Sequence, residues 1–240
     1  MMRRMLSSLP LLAALLAVTP AAAADAAGPV SEAERLVFED AHLRNLPAKA
    51  SLHYRYRHSE TGQAEIDDEV VLTASPEEGK ERVVHVDYLH GERHLALPDV
   101  ADPISNPLIL YFLEADVRDM RRRLGGQENY FRHRIRLALA EAATLSDVVV
   151  SHEGKAVQAT RIEIRPYAAD EQQERLRGLG NKIYRFTLSR LVPGGVYELS
   201  THVAAPAGGQ PLLEEVVTLR GEGGGDAPRQ GPGYMTEEGK

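Results

Sequence analysis

The spacing of hydrophobic positions changes along the chain, and each change predicts an element. Ser31 and Glu34 stand at capping-box spacing, and Ala33, Leu36, Val37 and Ala41 follow at helical intervals, predicting a helix over 31–43 that Leu46-Pro47 ends. The period then drops to two. Leu52, Tyr54 and Tyr56 alternate with His53, Arg55 and Arg57, and Asp68, Val70, Leu72 and Ala74 share one face of a strand over 66–74. Segments 82–89 and 92–97 read as a hairpin about a two-residue His90-Gly91 turn. Ser105 or Asn106 caps the next helix, with Pro107 in its first turn, Ile109, Phe112, Val117, Met120 and Leu124 along one side, and Gly125-Gly126 ending it. Segment 129–143 fits either period. Its alanine and leucine content favours a helix over a strand.

Beyond that point the pattern is mostly that of strands. Val148–Ser151 and Val157–Ile164 flank Glu153-Gly154, a hairpin signal, and Asp170 is placed to cap a short helix reaching about Leu176. Tyr184, Phe186 and Leu188 alternate, Pro193-Gly194-Gly195 turns, Tyr197 to Val203 alternates again, and Leu213–Leu219 is a last strand. From Gly221 onward glycine, proline and charge dominate, the composition of a disordered tail. No internal repeat interrupts 31–220. The order is one helix, four strands, a helical insertion over 105–143, then four or five strands. It predicts an α+β fold: a curved antiparallel sheet, barrel-like but incomplete, with helices packed on one face of a single domain over 25–220.

A short N-terminal helix feeding the Tyr54/Tyr56 strand, then hairpins and a central helix, resembles the LolA/LolB/RseB-type periplasmic half-barrel family over residues 31–124. The resemblance is architectural. It implies an incomplete antiparallel barrel wrapped around a lid of helices that binds acyl chains or lipoproteins. On that analogy the inner face, with Tyr54, Tyr56, Val84, Val86 and Leu95, would hold an apolar ligand beneath the 106–124 helix.

The first residues give the chain an address. Arg3 and Arg4, an apolar stretch from Leu9 to Val18, and Ala22 and Ala24 in small-x-small spacing form a secretory signal peptide over 1–24, cleaved before Asp25. The stretch is too short to span a bilayer, which takes about 20 residues. The expected mature protein is therefore periplasmic, without a transmembrane segment. There is no cysteine, hence no disulfide and no lipobox. Loss of Arg3 and Arg4 deepens the net charge from −7, which argues against a nucleic-acid partner.

Two groups of side chains suggest chemistry. Within the predicted hairpin, His85, Asp87 and His94 share a strand face, a set able to ligate Zn²⁺ or another divalent ion; the plainer reading is a solvated face with an Asp87–His94 pair. Arg118, Arg121, Arg122, Arg123, Arg132, Arg134 and Arg136, with His133, form a dense block that suits an anionic lipid, a glycan or an acidic protein surface. Alternatively these arginines pair with Asp116, Asp119, Glu128 and Glu141 on two solvated helices. No zincin, nucleophile-elbow, phosphate-loop or catalytic-cysteine motif occurs, so the sequence assigns no catalytic residue and no cofactor. The expectation is a non-enzymatic binding or carrier protein for an apolar or anionic, lipid-like ligand. A metal-binding protein and a protein-interaction adaptor are the alternatives.

Overall fold

A computed structural model describes residues 29–171, 173–205 and 211–220; the expected signal peptide (1–24) and the expected disordered tail (221–240) lie outside the described residues. Ser31 opens the first helical segment with both halves of the expected capping box, its hydroxyl accepting from the Glu34 N–H. The segment is not the one regular helix that its spacing predicts. After α1 (Glu32–Glu34) the backbone widens into a π turn, Arg35–Glu39, and tightens into a 3-10 turn, His42–Asn45. Tertiary contacts override the local period. Arg190 holds the Asp40 carboxylate at 2.7 and 3.0 Å, and His42 is drawn inward between the Leu36 carbonyl and the Asn106 N–H.

Nine strands follow: β1 (Ala50–Glu60), β2 (Ile66–Glu77), β3 (Lys80–Tyr88), β4 (Val100–Ala101), β5 (Thr144–His152), β6 (Lys155–Ile164), β7 (Ile183–Leu188), β8 (Val196–Val203) and β9 (Leu213–Leu219). They form one curled, unclosed antiparallel sheet in the order β4-β3-β2-β1-β9-β8-β7-β6-β5. Two meanders thus meet at a central β1–β9 seam, where Tyr56 stands opposite Val217. Between β4 and β5, the two sheet edges, the chain runs through helices α2 (Leu108–Leu124) and α3 (Glu128–Glu141). A connection between opposite edges must cross the sheet, and these helices do so over its inner face. The segment 129–143 is helical, as its composition suggests. Phe131, Ile135, Ala138 and Leu139 are its buried stripe.

Alternation places Leu52, Tyr54 and Tyr56 of β1, Val70, Leu72 and Ala74 of β2, and Val84, Val86 and Tyr88 of β3 on that inner face. They pack in one core with Leu108, Ile109, Phe112 and Met120 of α2. Each such large side chain contributes about 1.5–3 kcal/mol when fully buried.

The predicted hairpin at His90-Gly91 is replaced by a loop. The ladder ends at Tyr88, Leu89 turns inward with positive φ, and Gly91–Arg93 forms a 3-10 turn. Asp68 on β2 accepts from the His90 N–H at 3.1 Å and from its ring at 2.5 Å, pinning His90 back over β2. Leu95 bridges to Tyr88 instead of pairing with Val86, and Val100–Ala101 takes up the β3 edge. Asp170 is likewise not used as a helix cap. Its carboxylate accepts from the Tyr130 hydroxyl and lies 3.3 Å from Arg134, and only a 3-10 turn, Gln173–Leu176, follows.

Candidate functional site

The α2 stripe facing the sheet contains one intruder. Asp116 lies one turn from both Phe112 and Met120 and is as fully buried as they are. Its two carboxylate oxygens accept from the Lys182 ammonium and the Tyr184 hydroxyl. Lys182, just ahead of β7, is only 1% exposed, and its ammonium sits 5.6 Å from the centre of the Tyr184 ring. The Tyr167 hydroxyl lies 3.3 Å from that of Tyr184. Burial raises the Asp116 carboxyl above its ordinary 3.8 despite both donors. The same desolvation pushes the Tyr184 and Tyr88 phenols well above 10.

Register extends this polar patch across the sheet. Tyr184 pairs with Thr201, Thr201 with Glu215, and Glu215 with His58, so one row carries four polar side chains toward α2. His58 lies 3.5 Å from Glu60 and 3.7 Å from Glu215. Arg123, in the last turn of α2, grips Glu60 with two bonds of 2.7 and 2.8 Å, and its nearness holds the Glu60 carboxyl below the ordinary range. At the other end of the floor Phe186, Leu188, Val217 and Leu219 are apolar and buried. The inner face is therefore two-sided in chemistry, with polar groups under the middle and C-terminal part of α2 and hydrocarbon under its N-terminal half.

On the outer side of the helical layer, α1, α2 and α3 enclose an open apolar groove of about 400 Å³. Phe38, Leu97, Leu110, Leu113, Val117 and Ile135 line it, and Glu34, Glu114, Arg132 and Arg136 form its rim. Leu110 is 49% exposed there, a large apolar side chain left in water by an otherwise well-filled helix. Arg136 makes no hydrogen bond or ion pair among the described residues. A second cavity of similar size, between α3 and β6, is bordered by the charged groups of Arg134, Glu141, Glu163 and Arg165.

Most of the arginine block is spoken for. Arg118 and Arg132 meet Glu114, Arg121 and Arg132 meet Glu128, Arg122 and Arg123 meet Asp119, and Arg134 bonds the Pro166 carbonyl. Within this block Arg136 and His133 make no hydrogen bond or ion pair among the described residues, and the pairing of most of the others follows the alternative reading of solvated, carboxylate-matched helices. Tyr54 and Tyr56 are core residues, the former hydrogen-bonded to Asn106, and neither presents surface to a ligand while α2 is seated.

The structure distributes the histidine trio differently from the hairpin register. His85 pairs with Asp99 at 2.7 Å, while His94 lies 3.5 Å from Asp87 and 3.2 Å from the Leu89 carbonyl. Among the described residues no three His, Asp or Glu side chains are gathered as for a metal ion. From sequence, Asp116 reads as an arginine partner on a solvated helix, Tyr184 reads only as a strand residue, and Lys182 is passed over; the structure instead buries Asp116 against Lys182 and Tyr184. The available signal was the carboxylate interrupting an apolar helical stripe.

Neither a protein-family model nor a curated protein matches the chain. Among solved structures, the chain is similar to the Mycobacterium tuberculosis lipoprotein LppX, with a TM-score of 0.29 and 9% identity over 71% of this chain and 85% of that one. No helix of the described residues is long and apolar enough to cross a membrane.

Proposed function

We propose that the protein is an exported, non-enzymatic binding protein for an apolar or amphipathic, lipid-like ligand, working in the periplasm once residues 1–24 are removed. The observation that carries this reading is the groove between α1, α2 and α3. Its lining is hydrocarbon, its volume of about 400 Å³ falls in the range of small-molecule sites, and the unpaired Arg136 stands at its rim. An aliphatic chain along Leu110, Leu113 and Ile135 would remove apolar surface from water, worth roughly 25 cal/mol per Å². An anionic end would meet Arg136. The groove needs no reacting group for this.

Displacement of a fluorescent fatty acid, with native mass spectrometry of protein from its own host, tests the reading. Leu110→Asp and Leu113→Asp are expected to weaken binding at least tenfold while leaving the circular dichroism unchanged. Undiminished binding by both variants, or no binding by the natural chain, would sink the groove as the site.

A further inference from the structure

We infer that Lys182 and Tyr184 form an anion receptor on the floor of the sheet, filled in this state by the chain's own Asp116, and that its exogenous ligand is the anionic oxygen head group of a single-chain amphiphile. The inference rests on the amphiphile reading above and adds to the outer groove at Arg136 a second, inner site for an anionic head, with a device that keeps the inner face closed.

Three observations converge. First, the contact is a carboxylate held by an ammonium and a phenol, the arrangement by which a protein recognises a carboxylate or phosphate from outside. Second, the receptor has more donors than its occupant can serve. The Tyr88 hydroxyl and the Thr201 hydroxyl are fully buried and have no protein partner among the described residues. Tyr88 is buried on the inner face of the sheet in the same core as α2, and Thr201 stands beside Tyr184 in the ladder. Buried hydroxyls left unpaired are costly, and a head group with three or four oxygens would satisfy them where the two oxygens of Asp116 do not. Third, the hydrocarbon needed by the tail is next to the receptor: Phe186, Val217 and Leu219 on the floor, covered by Ile109 and Phe112 of α2.

A purely architectural ion pair fits these facts less well. Buried pairs about break even against well-packed apolar residues, and the flanking Phe112 and Met120 show that apolar side chains are accommodated along this stripe. Asp116 instead places on a removable helix the same charge that the receptor would take from a ligand. Lifting α2 returns Asp116 to water and frees Lys182, so a ligand anion and the α2 carboxylate compete for one site.

The experiment compares oleate, oleoyl lysophosphatidate and monoolein, which share a tail and differ in head charge, on the full chain. Asp116→Asn removes the internal competitor and is expected to bind the two anionic probes at least tenfold more tightly than the natural chain, with monoolein unchanged. Asp116→Asn/Lys182→Met, which removes both charges of the pair, is expected to lose that gain and return to the natural chain's affinities. If the double variant keeps the full gain of Asp116→Asn, or if Asp116→Asn folds and gains nothing, the receptor assignment is overturned while the amphiphile reading stands. If no form binds any probe, both fall. Should Asp116→Asn not fold, excess oleate is expected to restore its melting transition and monoolein is not; equal rescue by both also overturns the assignment.

Discussion

His42 ties three parts of the molecule together through one imidazole. Its Nε2 lies 2.9 Å from the Leu36 carbonyl and its Nδ1 takes the Asn106 N–H at 3.2 Å, which requires a neutral ring with the proton on Nε2. Asn106 in turn accepts from the Leu108 N–H, capping α2, and donates to the Gly194 carbonyl at 2.8 Å. Gly195 closes over the ring with φ of +72°, and a Cβ there would stand 2.8 Å from that of His42. Burial holds the His42 pKa below its ordinary 6.5. The folded state therefore resists protonation. The stability this contributes is complete above pH 6.5 and is lost as pH falls below it toward the folded value. Urea midpoints at pH 7.5 and 5.5 should show a fall that His42→Gln largely removes. His90, raised by its bond to Asp68, acts in the opposite direction as pH climbs, so His90→Gln should steepen the net fall with acid rather than relieve it. An unchanged pH dependence in His42→Gln would contradict this account of the hub.

At the scale of elements, strands and helices were legible wherever one period persisted over several residues. β1, β2, β7 and β8 follow their alternation, and α3 follows its alanine and leucine content against a competing strand pattern. What sequence pattern could not supply was long-range. The loop at Leu89–Asp99 depends on Asp68, some twenty residues earlier, and the break after Glu39 depends on Arg190 and Asn106, far along the chain. The candidate site was hidden for the same reason, since Asp116 and Lys182 meet only once α2 lies across β7. The arginine cluster was visible together with two of its carboxylate partners, Asp119 and Glu128, but not Glu114, and Asp116 turns inward to Lys182 instead. β5 was legible only in part, and it forms an edge with no neighbour on one side among the described residues. It has no proline or lysine to discourage pairing, and Val149 is 61% exposed. Val149→Lys is expected to change stability by less than about 0.5 kcal/mol and to raise the concentration at which the protein self-associates. Light scattering across a concentration series checks this, and a variant that associates as readily as the natural chain would clear the β5 edge.

Across the whole molecule, the ends of the polypeptide order build the middle of the sheet. Among the described residues β1 and β9 are the first and last strands, and their nine-stranded sheet is continuous only through their pairing. The two meanders on either side are each made of near neighbours in sequence. The seam is the long-range step, and α2 and α3 brace it from one face because they must run from edge to edge. Neither meander encloses a core alone: Tyr54 and Val70 of one and Phe186 and Leu199 of the other belong to one apolar cluster with Phe112 between the halves. Loosening the seam should therefore weaken both halves together. Val217→Ala, which opens a fully buried position opposite Tyr56, is expected to cost about 1–3 kcal/mol. The urea midpoint should fall with an unchanged slope, and far-ultraviolet dichroism and tyrosine fluorescence should report one shared transition. Two separated transitions would mean that each meander holds itself together, and that the helices span a joint between independent units. A single transition means that the two meanders and the helices between them unfold as one cooperative unit, with the β1–β9 seam as its joint.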